Sequence, residues 1–318
     1  MPGPSLIGFA GVRGHERACG LLRAAVQRER LAHALLFAGP DGIGKRLVAL
    51  ALAAWLHCEA RGDDGCGACA SCRQIAAGSH PDLQLVSVAP GKKEIGVDRI
   101  RDLKRFMQLR PLSGGGKVGI VDDAHALTTA AQNALLKTLE EPPAHSLLIL
   151  VAHNPDALLS TVRSRCQCVQ FAPLPIEAVV QVLTTGCGLQ PAVAQELAAL
   201  AEGSPGRALH LRGSFAGEGR ARLQEQLAML GTARYVRVVQ LANELRQPES
   251  EAATKIELLL TTYRDAARRS AQAGGSAHDL QAILRRGDAV QRAWNVVRRG
   301  NPNRQLLLEA LLLRLARL

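Results

Sequence analysis

The sequence predicts an α/β fold with a parallel sheet, followed by helical domains. Three observations indicate this: short apolar runs of buried-strand length, helical stretches between them, and a glycine-rich loop directly after the first run. Strands that alternate with helices usually form a parallel sheet with helices on both faces. After Pro173 and Pro175 the strand pattern stops, and the rest of the chain is almost entirely helical.

The hydrophobic periodicity gives the individual elements. An amphipathic helix is predicted over Glu16–Leu31 and a second over Arg46–His57. A third begins near Thr128 or Thr129 and is stopped by Pro142 and Pro143; it turns Leu135, Leu136 and Leu139 inward and leaves Lys137 outside. The predicted strands are Ala34–Ala38, Leu83–Val88, Val118–Val121, Leu147–Val151 and Cys168–Phe171.

The length of 318 residues exceeds what one hydrophobic core usually serves. We expect an α/β domain over 1–172, a small helical domain over 173–213 and a last helical domain over 214–318. The boundaries follow from the two prolines and from a glycine-rich step that begins at Gly213.

Charge and cysteine content indicate where the protein works. Lys and Arg number 39 against 28 for Asp and Glu, a net charge of +11, which suits work near a polyanion but names no partner. The N-terminus lacks the pattern of a signal peptide, and no apolar stretch is long enough to span a bilayer. We therefore expect a cytoplasmic protein with no membrane partner, in which the eight cysteines bind metal or pack rather than form disulfides.

A candidate phosphate-binding loop follows the first predicted strand. Gly39, Gly42 and Gly44 would let backbone N–H groups converge on phosphate oxygens at a helix N-terminus, and Lys45 would add a positive charge. The alternative is a glycine-rich turn between a strand and a helix without a ligand.

Two residues depart from the pattern of active ATPases that carry such a phosphate-binding loop. Arg46 follows the lysine where a Ser or Thr hydroxyl would ligate Mg²⁺. Asp122 ends a strand as a metal-binding carboxylate should, but Asp123 follows where such ATPases usually carry the longer Glu as base. Together they predict little or no ATP hydrolysis and make ATP binding doubtful; the alternative for both aspartates is a solvated strand end.

Four cysteines form a candidate structural zinc site. Their spacing, C-x7-C-x2-C-x2-C, presents four thiolates to one tetrahedral Zn²⁺ and leaves no open position; they are Cys58, Cys66, Cys69 and Cys72. The alternative is a set of unliganded core cysteines. The other four are expected to be packing residues: Cys19, Cys166, Cys168 and Cys187. Of these, Cys166 and Cys168 are expected on one face of a strand.

Several motifs carry a family resemblance over nearly the whole chain. They are HALLFAGPDGIGK (33–45), the four-cysteine insert, HPDL (80–83), NALLKTLEEPP (133–143) and SRCQ (164–167). With these motifs the chain resembles the delta-prime family of bacterial DNA polymerase III, which are clamp-loader subunits of the AAA+ class.

The resemblance implies an AAA+ P-loop core over 1–172 with a zinc module at 58–72, a helical lid over 173–213 and a collar over 214–318. It implies a hetero-pentameric ring with tau/gamma and delta subunits, which uses ATP to load the sliding clamp on primed DNA during replication. The chain would be the stator of that ring, inactive as an ATPase alone but part of a DNA-directed DNA polymerase (nucleotidyltransferase) holoenzyme.

The resemblance also assigns residues. Arg165 of the SRC motif would be an arginine finger for the ATP site of a neighbouring subunit, or else an ordinary surface arginine. Arg207 falls where AAA+ lids carry a nucleotide-sensing arginine, and His153 with Asn154 falls in the region that senses the γ-phosphate. Lys137 would lie near the central DNA channel, or else be a solvated lysine.

Two other functions remain compatible with the sequence. One is an active clamp-loader ATPase of the tau/gamma type, which ATP turnover by the isolated chain would reveal. The other is a zinc-dependent nucleic-acid binding module, which steep salt-dependent DNA binding would support. Aromatic residues make up 3% of the chain and offer few stacking platforms for bases.

Overall fold

Five parallel strands form one sheet, in the order β2-β3-β4-β1-β5. They are β1 (Ala34–Ala38), β2 (Leu83–Val86), β3 (Lys117–Val121), β4 (Ser146–Ala152) and β5 (Gln167–Gln170). The computed structural model describes residues 8–215, 235–246, 252–272, 276–299 and 303–317. The chain divides into two units, Met1–Arg207 and Ala208–Leu318, and the sheet belongs to the first.

The parallel α/β core predicted from the sequence is confirmed, and each predicted strand is present. Strand β1 has the predicted bounds, whereas β2 ends two residues before Val88, β3 begins one residue earlier than predicted, and β4 and β5 differ by one residue at both ends. Strand β1 pairs with β4 on one side and β5 on the other. The carboxyl ends of β1, β4 and β3 therefore lie side by side, which is where ligands bind in open α/β sheets.

Nine helices of the described residues follow one another from the N-terminus to the lid region. They are α1 (Glu16–Gln27), α2 (Lys45–Leu56), α3 (Ala70–Ala77), α4 (Val97–Gln108), α5 (Thr129–Glu140), α6 (Ser160–Arg163), α7 (Ile176–Gln181), α8 (Pro191–Leu200) and α9 (Pro205–Phe215). Helix α1 stops before the predicted Leu31 because Glu29 adopts a left-handed backbone conformation, with φ of 53°. Helix α9 continues through Gly213, so the predicted glycine-rich step begins inside a helix, and residues 216–219 lie outside the described ones.

Helix α5 begins as the sequence predicts. The Thr128 hydroxyl accepts a hydrogen bond from the Ala131 N–H at 3.2 Å, which caps the first turn. Leu135 and Leu139 are buried and Leu136 is half-buried, as expected.

Helices α4 and α5 cover one face of the sheet. Their buried side chains, including Ile100, Leu103 and Leu135, join alternate residues of the strands such as Leu36 and Leu148 in one core cluster. Because successive strand residues point to opposite faces, the intervening residues form the other face, and α2 packs against β4. This core holds the strand ends in place.

The second unit is helical in its described part. Its helices are α10 (Tyr235–Arg246), α11 (Ala252–Gln272), α12 (Ala277–Arg299) and α13 (Arg304–Arg317), with α11 packed on α12 and α10 on α13. Helix α13 buries Leu308, Leu311, Leu312 and Leu315, which is the spacing of one apolar helix face. Within the described residues, no helix is long and apolar enough to cross a membrane.

Candidate functional site

The predicted phosphate-binding loop joins β1 to α2. Gly42 and Gly44 adopt positive φ values of 69° and 102°, conformations that glycine reaches without steric cost. The loop borders a cavity of about 400 Å³, lined also by residues from the ends of β3 and β4. The predicted residues Gly42, Lys45, Asp122 and Asp123 all line it, so the strand ends bring this set together.

Lys45 lies against its own loop. Its side chain is buried, and its ammonium donates hydrogen bonds to the carbonyl oxygens of Gly39 at 2.7 Å and Pro40 at 2.5 Å. Burial lowers the pKa of Lys45, against an opposing effect of the nearby Asp41 and Asp122. The charge thus lies at the base of the loop, where a phosphate would interact with it.

Arg46 forms an ion pair with Asp122. The guanidinium Nη1 lies 3.3 Å from the Asp122 carboxylate. Arg46 replaces the hydroxyl that would bind Mg²⁺, and it contacts the carboxylate that would bind the same ion. Burial, and then the neighbouring Asp123, raise the pKa of Asp122, while Arg46 opposes them. The positive charge beside Asp122 is therefore that of the Arg46 side chain and not that of a bound metal ion.

Asp123, His125 and His153 form a cluster beside this pair. Their ligand atoms lie within 4.8 Å of one another, and the two imidazole rings have centroids 3.7 Å apart. The Nδ1 atom of His125 is buried without a hydrogen-bond partner, and burial, followed by the proximity of His153, lowers the pKa of His125 to about 4.

His153 is one of the residues predicted from the sequence, whereas His125 is not. The signal was its position just beyond a strand end, the part of a parallel sheet where functional side chains gather. Asn154 is exposed at the start of a short turn and makes no side-chain cap.

Ser204 and Gly206, in the region predicted to be a lid, contact the loop directly. The Ser204 hydroxyl donates to the carbonyl oxygen of Asp41, and the Gly206 N–H donates to that of Gly42, both at 2.8 Å. A Cβ atom on Gly206 would lie 2.8 Å from the Gly42 Cα, so only glycine fits there. Arg207 forms a 2.6 Å ion pair with Glu202 of the same region.

The four predicted cysteines lie together, with all four sulfurs within 4.8 Å of one another. Backbone N–H groups point at the sulfurs: those of Cys66, Cys69 and Cys72 donate to the sulfurs of Cys58, Cys66 and Cys69 at 3.3 to 3.4 Å. Hydrogen bonds from backbone N–H groups stabilise the charged form of an acceptor. The N–H groups of Ala68 and then of Cys69, followed by a hydrogen bond from Cys58, lower the pKa of the Cys66 thiol to about 6.

Two carboxylates hold the cysteine segment in place. Asp64 accepts hydrogen bonds from the N–H groups of Phe9 and Ala10, both at 2.8 Å. Glu59 accepts from the N–H and the hydroxyl of Ser71, at 3.0 and 2.9 Å. Asp64 therefore attaches the segment to the residues near the N-terminus, and Glu59 joins the two ends of the segment to each other.

The other four cysteines differ in burial, although all four were predicted to be packing residues. Cys19 is buried, Cys166 and Cys187 are half-buried, and Cys168 is exposed. The interpretation of Cys168 as a packing residue is wrong, because β5 is an edge strand whose only buried residue is Val169. Cys166 precedes that strand rather than lying on it.

Arg165 is exposed at the turn before β5. Its guanidinium makes a 2.7 Å ion pair with Glu140 at the end of α5 and donates a 2.9 Å hydrogen bond to the Thr161 carbonyl. The SRC and LEEPP motifs therefore contact each other. Lys137, also on α5, is exposed as predicted.

A buried amide links α5 to the loops around it. Gln132 donates to the carbonyl oxygens of Leu127 and Ala157, at 3.1 and 3.3 Å, and accepts from the Leu159 N–H at 2.7 Å. Its hydrogen-bonding groups are thus paired with the two segments that follow β3 and β4. Sequence reasoning missed this residue, because a glutamine on a helix carries no pattern of its own.

A buried ion pair organises the HPDL segment. The Asp82 carboxylate lies 2.8 Å from the Lys117 ammonium and accepts hydrogen bonds from the Leu112 and Ser113 N–H groups and from the Ser113 hydroxyl. Burial pushes the pKa of Asp82 upward, but the hydrogen bonds from Lys117, Ser113 and Leu112 outweigh it, so that the pKa lies well below its ordinary value.

Comparison with known proteins identifies relatives of this chain. The profile of the family described as "DNA polymerase III, delta subunit" matches residues 14–175, more than half of the chain. The delta-prime subunit of DNA polymerase III from Pseudomonas aeruginosa is 42% identical over 206 residues, and that of Escherichia coli is 39% identical over 191 residues. These alignments cover 64% and 60% of this chain.

The alignments span 62% and 57% of those two relatives' own length. A tau subunit of DNA polymerase III from Bacillus subtilis is 33% identical over 270 residues, 82% of this chain and 47% of that protein. Among solved structures, a gamma subunit-related protein from Thermotoga maritima matches with a TM-score of 0.48 at 18% identity, over 93% of this chain and 98% of that one.

Proposed function

The chain belongs to the DNA polymerase III delta-prime family, and we propose that it is the stator subunit of a clamp loader. In this role it completes a ring with tau/gamma and delta subunits and contributes an arginine to a neighbour's ATP site. The ring would use ATP to place the sliding clamp on primed DNA. The proposed division of labour is an AAA+ core at 1–172, a lid at 173–213 and a collar at 214–318 that holds the ring together.

The ion pair between Arg46 and Asp122 is the observation that carries this proposal. A motor subunit needs an open position for Mg²⁺ between the loop hydroxyl and the acidic strand end. Here a guanidinium fills that position, and a guanidinium cannot ligate a metal ion. The chain therefore supports catalysis on another subunit rather than performing it at its own loop.

Arg165 is the group we assign to that task. Its guanidinium is exposed and is held by one carboxylate and one carbonyl oxygen, so it can exchange these partners for phosphate oxygens of a neighbour. A planar guanidinium engages two oxygens at once, and it stabilises the charge that develops on a transferring phosphoryl group.

The four-cysteine cluster fits a structural zinc site. The N–H groups directed at the sulfurs favour thiolates, which are the metal-binding form. Cys58, Cys66, Cys69 and Cys72 would hold Zn²⁺ as a closed set, which stabilises the segment 58–72 and performs no chemistry.

The test is ATP turnover by a complex reconstituted with Arg165→Ala. Arginine fingers contribute about 10³ to 10⁵ in rate at the site that they complete. We expect a partial fall in the ATPase activity stimulated by DNA and clamp, because the other motor sites keep their own arginines. Arg165→Lys should rescue poorly, since a point charge lacks the planar fork.

Arg163→Ala is the matched control, because Arg163 is another arginine of the same turn, paired with Asp156. Ring assembly is checked by gel filtration, and zinc content and thermal unfolding are compared with wild type. Equal turnover by intact complexes with and without Arg165 would refute the finger assignment.

A further inference from the structure

The cluster of Asp123, His125 and His153 has no role in the proposed stator function. It lies at the carboxyl ends of β3 and β4, beside the 400 Å³ cavity that Asp123 and His153 line. In the described residues, no hydrogen bond is made by either imidazole or by the Asp123 carboxylate, and His125 Nδ1 is buried. A buried polar atom without a partner costs free energy unless it meets a ligand.

The donor set is that of a transition-metal site. Two imidazoles and one carboxylate leave positions open on a bound cation, and imidazole nitrogen prefers Zn²⁺ and similar first-row ions to Mg²⁺. Ligands about 2.1 Å from a tetrahedral ion lie roughly 3.4 Å apart. The ligand atoms of the three residues lie within 4.8 Å of one another, so a bound ion would have to draw them closer, and the exposed His153 side chain is the one with room to move.

The electrostatic surroundings favour a cation. The cavity lining has three carboxylates, Asp41, Asp122 and Asp123, against two cations, Lys45 and Arg46. Arg46 is paired with Asp122, and Lys45 is bonded to carbonyl oxygens. The Asp123 carboxylate therefore remains available to a metal ion.

A second cluster, His57, His80 and Asp82, shows the contrast. Its ligand atoms are equally close, but the Asp82 carboxylate is already engaged by an ammonium at 2.8 Å and by backbone N–H groups. His80 Nδ1 accepts a hydrogen bond from the Asp82 N–H at 3.1 Å. Proximity alone therefore does not make a metal site, and this cluster lacks the available donors of the first.

We infer that Asp123, His125 and His153 form a second metal site, which takes a first-row divalent cation such as Zn²⁺ at the mouth of the nucleotide cavity. The site is independent of the four-cysteine cluster and of the stator function. The cation would lie beside the Arg46–Asp122 ion pair, held by residues that follow β3 and β4 rather than by the phosphate-binding loop.

Metal stoichiometry of the tag-free full chain tests this inference. The chain is saturated with Zn²⁺ at neutral pH, freed of excess by gel filtration, and analysed for zinc by mass spectrometry. We expect two Zn²⁺ per chain for wild type and one for the His125→Ala/His153→Ala double variant. Calorimetric titration with Zn²⁺ should show at least about a tenfold weaker second site for Asp123→Asn.

Three comparisons keep the two sites distinct. His278→Ala, which removes an exposed histidine of α12, should keep both ions. Substitution by Co²⁺ should give sulfur-to-metal charge-transfer absorption that the double variant retains, since it comes from the cysteines. Equal zinc content in the wild-type chain and in a correctly folded double variant would overturn the inference, whatever the cysteine cluster binds, while leaving the stator proposal untouched.

Discussion

At the scale of single residues, the guanidinium beside Asp122 decides what the phosphate-binding loop can do. A Ser or Thr hydroxyl at position 46 would bind Mg²⁺ together with the Asp122 carboxylate. Arg46 instead forms an ion pair with that carboxylate at 3.3 Å. Asp123 adds a second defect, because its side chain is one methylene shorter than that of Glu and its backbone adopts a left-handed conformation with φ of 55°. Positioning errors of about 1 Å cost on the order of a hundredfold in rate.

We therefore predict that the isolated chain hydrolyses no ATP above background, even with clamp and primed DNA present. The measurement is phosphate release, with Lys45→Ala as the matched background. Arg46→Thr alone should remain inactive because Asp123 is unchanged. Rapid turnover that Lys45→Ala abolishes would contradict this prediction and favour the tau/gamma type of ATPase.

The sequence predicts the residues of this site better than their partners. Gly42, Lys45 and Asp122 follow from a local pattern, because a strand, a loop and a helix fix their positions. The contacts of Arg46 with Asp122 and of Arg165 with Glu140 join segments that are distant along the chain. No local periodicity encodes them, so only the folded sheet reveals them.

At the scale of elements, the cysteine segment is the part of the fold whose shape we propose to depend on a metal. Only α3 within it is regular, and its N-terminus is capped by the Cys69 sulfur, which accepts from the Cys72 N–H. A short segment with few apolar residues would gain much of its folding free energy from the zinc ion that we propose.

We predict that Cys69→Ser lowers the zinc content contributed by this cluster and exposes the segment to proteolysis near 58–72. One thiolate fewer leaves an open coordination position, and the helix cap is altered. Elemental analysis and limited proteolysis provide the measurement, with Cys168→Ser as the control because Cys168 is exposed and lies outside the cluster. Unchanged zinc in Cys69→Ser would exclude this residue as a ligand.

The buried pair of Asp82 and Lys117 ties the start of β2 to the start of β3. We predict that Lys117→Met destabilises the chain by about 3–5 kcal/mol, because it leaves a buried carboxylate without its counter-charge. Arg101→Met, which breaks an exposed pair with Asp98, should cost less than about 1 kcal/mol. Urea unfolding at neutral pH measures both, and equal costs would refute the prediction.

The same pair predicts a pH dependence. The folded-state pKa of Asp82 is below its ordinary value, so the carboxylate contributes stability that is complete above the unfolded pKa of about 3.9 and is lost as the pH falls toward the folded value. The stability difference between wild type and Asp82→Asn should therefore stay constant from neutral pH down to about pH 5 and shrink below about pH 4.

Element types were predictable, whereas their ends were less so. Strand β1 agrees fully because apolar residues, a glycine loop and a helix start enclose it. The end of α1 depends on the left-handed turn at Glu29, and α9 continues through Gly213. A glycine weakens a helix by only about 1 kcal/mol, so it marks a boundary only where packing agrees.

At the scale of the whole molecule, the two units and the net charge are the relevant properties. The division after Arg207 keeps residues 173–207 of the predicted lid with the sheet and puts residues 208–213 in the other unit; Ser204 and Gly206, on the sheet's side of the division, make hydrogen bonds to the loop. The separate lid and collar remain predictions. The charge of +11 acts over the whole surface and raises the affinity for any polyanion.

We predict that the isolated chain binds primed DNA only weakly, with a Kd above about 10⁻⁶ M at physiological salt, as expected of nonspecific electrostatic contact. Affinity should fall steeply as salt rises, because the binding comes from counterion release.

Fluorescence anisotropy over a salt series measures this affinity for wild type and for Cys69→Ser. The two should agree because basic side chains, not the cysteine segment, carry the charge. Nanomolar binding that disappears in Cys69→Ser would instead identify a zinc-dependent nucleic-acid module. In the stator interpretation, tight DNA binding emerges only when the chain is combined with the other subunits, since a ring sums the weak contacts of its members.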